Sequence, residues 1–192
     1  PTTEEWVPEP ASPYAISKFA AEKYIRYYHG QFGLPYTILR YSNVYGPRQI
    51  PHGEAGVVAI FTENLLRGEM SELYHFPDAP QGMVRDYCYV KDVARANLAA
   101  RERGVTGIFN IGTGRGTSTS ELYGKILAAV RSRGRALGTE FDEPRRGLAR
   151  PGDIRVSTLD AAKAGAELVW TPAFDLDRGL AETVGWYLGH EG

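Results

Sequence analysis

Residues 86–111 read DYCYVKDVARANLAARERGVTGIFNI, and this run decides the fold class. Asp86 to Val90 is β-rich and passes directly into a helix predicted from Lys91 or Asp92 to about Arg103. Gly107 to Ile111 follows as a short apolar strand of the buried type. The alternation continues in both directions. On the N-terminal side, Ser12-Pro13 opens a helix, with serine as cap and proline at the first helical position. That helix is predicted to reach Tyr28 or His29, with Gly30 and Gly33 beyond to stop it. Leu34 to Tyr41 reads as a strand, NVYGPRQIPHGEAG as turns, Val57 to Arg67 as a helix and Leu73 to Phe76 as a short strand. On the C-terminal side, Ser118 with Glu121 three residues later makes a capping box for a further helix. Strands are predicted near Thr139 to Phe141 and near Ile154 to Ser157, separated by a loop rich in Arg and Gly. A last helix begins near Asp175. Strands alternating with helices of about 10–15 residues give an α/β sheet with right-handed crossovers.

Composition agrees and excludes several functions. The chain has 192 residues, 43% hydrophobic and 23% charged, enough to bury a sizeable core. Its net charge of −1 lacks the basic excess of a general nucleic-acid or membrane-surface binder. The single cysteine, Cys88, excludes an intramolecular disulfide and fits a reducing compartment; a cytoplasmic location is expected. Alternating with Tyr87 and Tyr89 on a strand, Cys88 reads as a small buried residue. No stretch approaches the roughly 18 apolar residues of a membrane helix. His29, His52, His75 and His190 are scattered without ligand spacing, so no metal is expected.

Chemistry enters at Tyr14-Ala-Ile-Ser-Lys18. Residues i and i+4 of a helix are neighbours on one face. A phenol with a pKa near 10 is a poor base at neutral pH, and lowering it by about three units takes roughly 4 kcal/mol. One ammonium about 4 Å away supplies on the order of 4 kcal/mol at an effective dielectric near 20. The pair is therefore a credible general base for an alcohol that loses hydride from its carbon. Chance also supplies such spacings in a chain with 12 tyrosines, and Tyr87 to Lys91 is a second. That one lies on a strand, where four residues span about 13 Å, too far for the lysine to tune the phenol.

Pro13-Tyr14-x-x-x-Lys18 is followed by Leu39-Arg40-Tyr41-Ser42-Asn43-Val44-Tyr45-Gly46-Pro47-Arg48. Then come Arg85-Asp86-Tyr87-Cys88-Tyr89-Val90-Lys91-Asp92-Val93-Ala94, Phe109-Asn110-Ile111-Gly112-Thr113-Gly114, Arg150-Pro151-Gly152-Asp153 and Trp170-Thr171-Pro172. In that order these blocks resemble the extended short-chain dehydrogenase/reductase family, specifically its NAD-dependent nucleotide-sugar epimerases and dehydratases. Pro51-His52-Gly53-Glu54-Ala55-Gly56-Val57-Val58-Ala59-Ile60-Phe61 is similar to the UDP-glucose 4-epimerase branch.

The resemblance implies part of an NAD-binding Rossmann fold (1–45 and 86–116) joined to a small α/β nucleotide-sugar-binding domain (46–85 and 117–192). It implies epimerisation at C4 of a nucleotide-diphosphate sugar through a 4-keto intermediate, with Tyr14 and Lys18 catalytic. A 4,6-dehydratase or a UDP-glucuronate epimerase or decarboxylase is the alternative within the class; a non-catalytic nucleotide-sugar-binding fragment is the alternative outside it. Tyr14, Lys18, Tyr41, Ser42 and Val44 would meet the NAD cofactor. Asn43, Val57, Phe76, Arg85, Arg150 and Asp153 would meet the nucleotide sugar. Arginine suits a diphosphate because its planar fork donates two bonds and keeps its charge. Asp153 would orient a guanidinium or accept from a ribose hydroxyl. Asn43 also reads as a plain turn residue, Phe76 as a plain core aromatic, and Arg131 to Arg155 as a solvated basic loop. Pro77-Asp78-Ala79-Pro80-Gln81-Gly82-Met83-Val84 departs from the family's usual Gly-Asp-Gly turn.

The family's glycine-rich βαβ unit, and its Ser or Thr two dozen residues before the tyrosine, have no counterpart here. Gly112-Thr113-Gly114-Arg115-Gly116 has the wrong spacing for G-x-G-x-x-G and reads as a tight strand-to-helix turn. The expectation is a truncated and inactive portion of a homodimeric enzyme, with no nucleic-acid or membrane partner.

Overall fold

The computed structural model describes residues 1–51 and 56–190. The block from Pro51 to Phe61 therefore lies partly, at His52 to Ala55, outside the described residues. The chain is α/β, as its alternation requires. Helix α1 (Pro13–Phe32) starts at Ser12, whose hydroxyl accepts from the Ala15 amide. It runs through Gly30 and stops at Gly33, where a left-handed φ of 67° turns the chain away. Strand β1 (Thr37–Tyr41) begins three residues later than the predicted run, and a separate strand β2 (Asn43–Tyr45) follows it. Then come α2 (Val57–Arg67), β3 (Glu72–His75), β4 (Val84–Tyr89), α3 (Val90–Arg103) and β5 (Gly107–Ile111). Strand β6 (Gly116–Ser118), α4 (Thr119–Ser132), β7 (Arg145–Leu148), β8 (Val156–Ser157) and α5 (Leu176–Leu188) complete the order.

Two expectations are corrected. Thr139–Phe141 is a 3-10 turn, because Phe141 buries its ring and its carbonyl accepts from the Tyr123 hydroxyl on α4. Within the Arg- and Gly-rich loop, Arg145–Leu148 forms strand β7 against β3, in parallel register Glu72↔Arg145 to His75↔Leu148.

Ser42 is where the sheet changes partner. Before it, β1 pairs in parallel with β5, Thr37↔Gly107 to Tyr41↔Ile111. After it, β2 pairs in parallel with β4, Asn43↔Tyr87 to Tyr45↔Tyr89. Strand β4 also takes β6 antiparallel and β8 parallel at its beginning. From Asp86 to Tyr89 every residue of β4 is buried, so this strand has apolar matter on both faces.

Two cores result. Cys88 faces the first, with Val93 and Ala96 of α3, Phe109 and Ile111 of β5, and Leu168 and Trp170. Burial pushes the Cys88 thiol up to about 12, which leaves it protonated and inert at neutral pH. Tyr87 and Tyr89 face the second core, with Tyr45, α2, α4 and α5. On α4 the buried Leu122, Tyr123, Ile126, Leu127 and Val130 recur at helical spacing, each stabilising by about 1.5–3 kcal/mol through burial. The Trp170-Thr171-Pro172 stretch is tied to α3: Trp170 Nε1 donates to the Asp92 carbonyl, and the amides of Ala173 and Phe174 donate to its carboxylate. No helix among the described residues is long and apolar enough to cross a membrane.

Candidate active site

Helix α1 puts Tyr14 and Lys18 one turn apart on the same side. The Lys18 ammonium lies 5.5 Å from the centre of the Tyr14 ring. The tyrosine is 71% exposed, and none of the helix's 20 residues is buried. One ion pair ties α1 to β1, and one local contact closes the turn that follows the helix. Arg40 of β1 grips Glu22 with two bonds of 2.8 and 2.6 Å, which raises the arginine's already high pKa. His29 Nδ1 lies 2.8 Å from the Leu34 carbonyl. The competing pair does not share a strand as expected: Tyr87 lies on β4 and Lys91 in the first turn of α3. Tyr87 is buried, its phenol pushed up to about 12 by desolvation, while Lys91 turns away to Glu182 at 2.5 Å.

The carboxyl end of β1 carries the next group. Tyr41 donates its hydroxyl to Asn97 Oδ1 at 3.0 Å, and the Ser42 amide donates to Ile111. The Ser42 hydroxyl is buried, and among the described residues it has no hydrogen-bond partner. Asn43 is exposed at the head of β2. Val44 is half-buried and packs against the first core.

The glycine turn after β5 is already occupied by the protein's own carboxylate. Fully buried Asp86 accepts from the amides of Thr113 (2.9 Å) and Gly114 (3.0 Å), from the Thr113 hydroxyl (2.6 Å) and from the Leu159 amide (3.3 Å). A side chain at Gly112 would lie 2.5 Å from Asp86 Oδ2 and 3.2 Å from Ser42 Cβ. Glycine is thus needed for close approach, and the turn's amides are spent on Asp86 instead of a pyrophosphate. The turn feeds strand β6 before α4, so it joins strand to strand, not strand to helix.

Four of the six expected nucleotide residues, Phe76, Arg85, Arg150 and Asp153, lie around the start of β4, away from Asn43 on β2 and Val57 on α2. Tyr74 and Phe76 are two residues apart along β3 and its continuation. The Arg150 guanidinium lies 5.2 Å over the Tyr74 ring, and the Arg155 guanidinium 4.1 Å over the Phe76 ring. Arg85 is half-buried beside them; its Nη1 donates to the carbonyls of Val84 and, at 3.5 Å, Arg155. Desolvation lowers the Arg85 pKa, and among the described residues no carboxylate lies within ion-pair distance of it. Asp153 is fastened to backbone: its Oδ2 accepts from the Arg150 amide at 2.8 Å, so it does not orient that residue's guanidinium. Val57, at the first turn of α2, packs against the second core.

Arg155 and Tyr74 were not anticipated from the sequence. The Tyr74-x-Phe76 spacing, which puts two rings on one strand face, was the available signal. Among the described residues no three His, Cys, Asp or Glu side chains gather as metal ligands.

Residues 1–112 match the family described as the NAD dependent epimerase/dehydratase family. The solved structure of UDP-glucose 4-epimerase from Thermotoga maritima, with UDP-glucose, superposes with a TM-score of 0.86 at 46% identity, covering 98% of this chain and 57% of that one. UDP-glucose 4-epimerase of Mycolicibacterium smegmatis is 43% identical over 188 residues, 97% of this chain and 56% of the relative. dTDP-glucose 4,6-dehydratase of Streptomyces griseus is 35% identical over 190 residues, 98% of this chain and 53% of the relative. The chain spans about half the length of the curated relatives it matches. More than half of its residues fit the family's pattern and its α/β architecture superposes on part of a family member, so the chain belongs to the NAD dependent epimerase/dehydratase family.

Proposed function

We propose that this chain supplies the proton-transfer pair and the nucleotide-sugar side of an NAD-dependent C4-epimerase acting on UDP-glucose or UDP-galactose. The observation that carries the reading is the pairing of Tyr14 and Lys18 on one exposed face of α1, with Lys18 Nζ 5.5 Å from the centre of the Tyr14 ring. Identity of 43–46% to UDP-glucose 4-epimerases, against 35% to a dehydratase, favours epimerisation.

NAD, when bound, supplies the acceptor and donor of the hydrogen at sugar C4. Tyr14, Lys18, Tyr41, Ser42 and Val44 suit its nicotinamide-ribose end, because the Tyr14 phenol and the Lys18 ammonium lie open there and the buried Ser42 hydroxyl has no partner among the described residues. Its pyrophosphate finds no such cradle in the Gly112–Gly116 turn, whose amides bond Asp86. Tyr14 takes the proton of the C4 hydroxyl as that carbon becomes a ketone, and returns it after the keto-sugar has turned. Lys18 presents its ammonium beside that ring, one helical turn along. Arg85 and Arg150 hold the diphosphate, so the sugar turns about a fixed anchor; Asn43, Val57, Phe76 and Asp153 complete the nucleotide-sugar contacts.

In this reading the core around Phe109 is centred on the cofactor domain (1–45 and 86–116) and the core around Leu122 on the sugar-nucleotide domain (46–85 and 117–192), with Leu168 and Trp170 crossing into the first and Tyr45, Tyr87 and Tyr89 into the second. The active enzyme is a cytoplasmic homodimer paired through α1, where exposed Tyr24, Tyr27, Tyr28 and Phe32 form one stripe. By themselves the 192 residues do not turn over substrate.

The test is a chimera in which these 192 residues replace the matching part of the Mycolicibacterium smegmatis relative. It should interconvert UDP-glucose and UDP-galactose, and Tyr14→Phe should lower kcat by about a thousandfold or more. A folded chimera with no epimerase activity, or one indifferent to Tyr14→Phe, would refute the reading.

A further inference from the structure

We propose that Arg155 reads the base of the bound nucleotide, selecting a pyrimidine with a keto group at C4 over one with an amino group. The inference rests on the nucleotide-sugar reading of this site.

Three guanidiniums meet at this corner, and they are not equivalent. Among the described residues, Arg85 and Arg150 have no carboxylate within ion-pair distance, so their charge is available to a diphosphate. Arg155 alone is paired, with Asp78 at 2.9 and 3.0 Å. One of its amino groups is thereby engaged by a carboxylate, unlike those of the other two. What it offers is a plane, lying 4.1 Å over Phe76. Packing on the aromatic ring holds the guanidinium flat and so fixes the direction of its in-plane donors. Its remaining in-plane N–H groups form a donor edge.

That edge carries information. Arginine has donors and no acceptor. It can donate to the O4 of uracil, whereas the amino group of cytosine sets donor against donor. A site built to hydrogen-bond one group rejects the analogue that leaves its polar atoms unpaired. The backbone of Arg155 acts separately from the side chain, since its carbonyl accepts from the Val84 amide at 2.8 Å and pins β4. Replacing the side chain therefore leaves that strand contact in place.

The experiment is calorimetric titration of the 192-residue chain with UDP and with CDP, repeated for Arg155→Ala and Arg155→Lys. The unaltered chain should prefer UDP by about tenfold or more. Arg155→Ala should weaken UDP binding by about tenfold and leave CDP within about twofold, so the preference collapses. Arg155→Lys, which keeps the charge without the planar fork, should lose the preference too. An unchanged UDP-to-CDP ratio in Arg155→Ala, including equal weakening of both, overturns the proposal and leaves the nucleotide-sugar reading standing. An unaltered chain that binds neither nucleotide overturns both.

Discussion

Helix α1 carries Tyr14 and Lys18 with none of its residues buried, whereas Arg85 sits on β4, which runs on into the packed cores, with Phe76 just after β3 and Arg155 just before β8. The helix is tied to β1 by one salt bridge, with a local histidine contact closing the turn after it; the corner is held by β4, which is buried on both faces and anchored by four donors on Asp86. The two regions differ in what they need. The arginine corner draws its geometry from this chain's own core. The Tyr14–Lys18 pair draws only its spacing from α1 and leaves its surroundings to whatever meets that exposed face.

Substitutions can break this contrast, and the largest effect belongs to β4. Asp86→Ala strands the amides of Thr113, Gly114 and Leu159 in the interior and should lower unfolding free energy by about 3 kcal/mol or more. A loss under about 1 kcal/mol in urea titration would contradict the anchoring role. Next comes Arg40→Ala, which cuts the bridge from β1 to Glu22. Amide exchange in α1 should quicken by roughly five- to tenfold, about 1 kcal/mol, while α4 stays as protected as before. Equal acceleration in both helices would mean that α1 is not a separately held element. Smallest is Tyr28→Ala on the exposed stripe, expected to shift stability of the isolated chain by less than about 0.5 kcal/mol. A cost comparable to that of a core residue would show that the stripe is covered within this chain.

Local signals made most of the fold legible. Ser12-Pro13 marked the start of α1, and Ser118 capped α4 by accepting from Glu121. The apolar run GIFNI gave β5 with its observed bounds. What could not be read was decided at a distance. Nothing local makes Arg145–Leu148 a strand; it becomes one because β3 offers an edge and Gly147 leaves room for Glu72 and the Tyr74 ring. Gly30 reads as a stop, yet the helix passes it, since a glycine inside a helix costs only about 1 kcal/mol. In the candidate site, the Tyr14–Lys18 pair was legible because i, i+4 spacing is a helix's own geometry. The contact of Arg155 with Phe76 spans 79 residues of chain and a parallel strand pairing, and no spacing rule announces it. The job of Asp86 was hidden for the same reason: its partners lie 27, 28 and 73 residues away.

The central claim is that these 192 residues hold a self-supported nucleotide-diphosphate site and only the nicotinamide end of the cofactor site. Titrating the chain with UDP and, separately, with NAD tests it directly. The account predicts measurable UDP binding that Arg150→Ala weakens by about tenfold or more, and no saturable NAD binding below the millimolar range. Micromolar NAD affinity, or UDP binding that ignores Arg150→Ala, would contradict it.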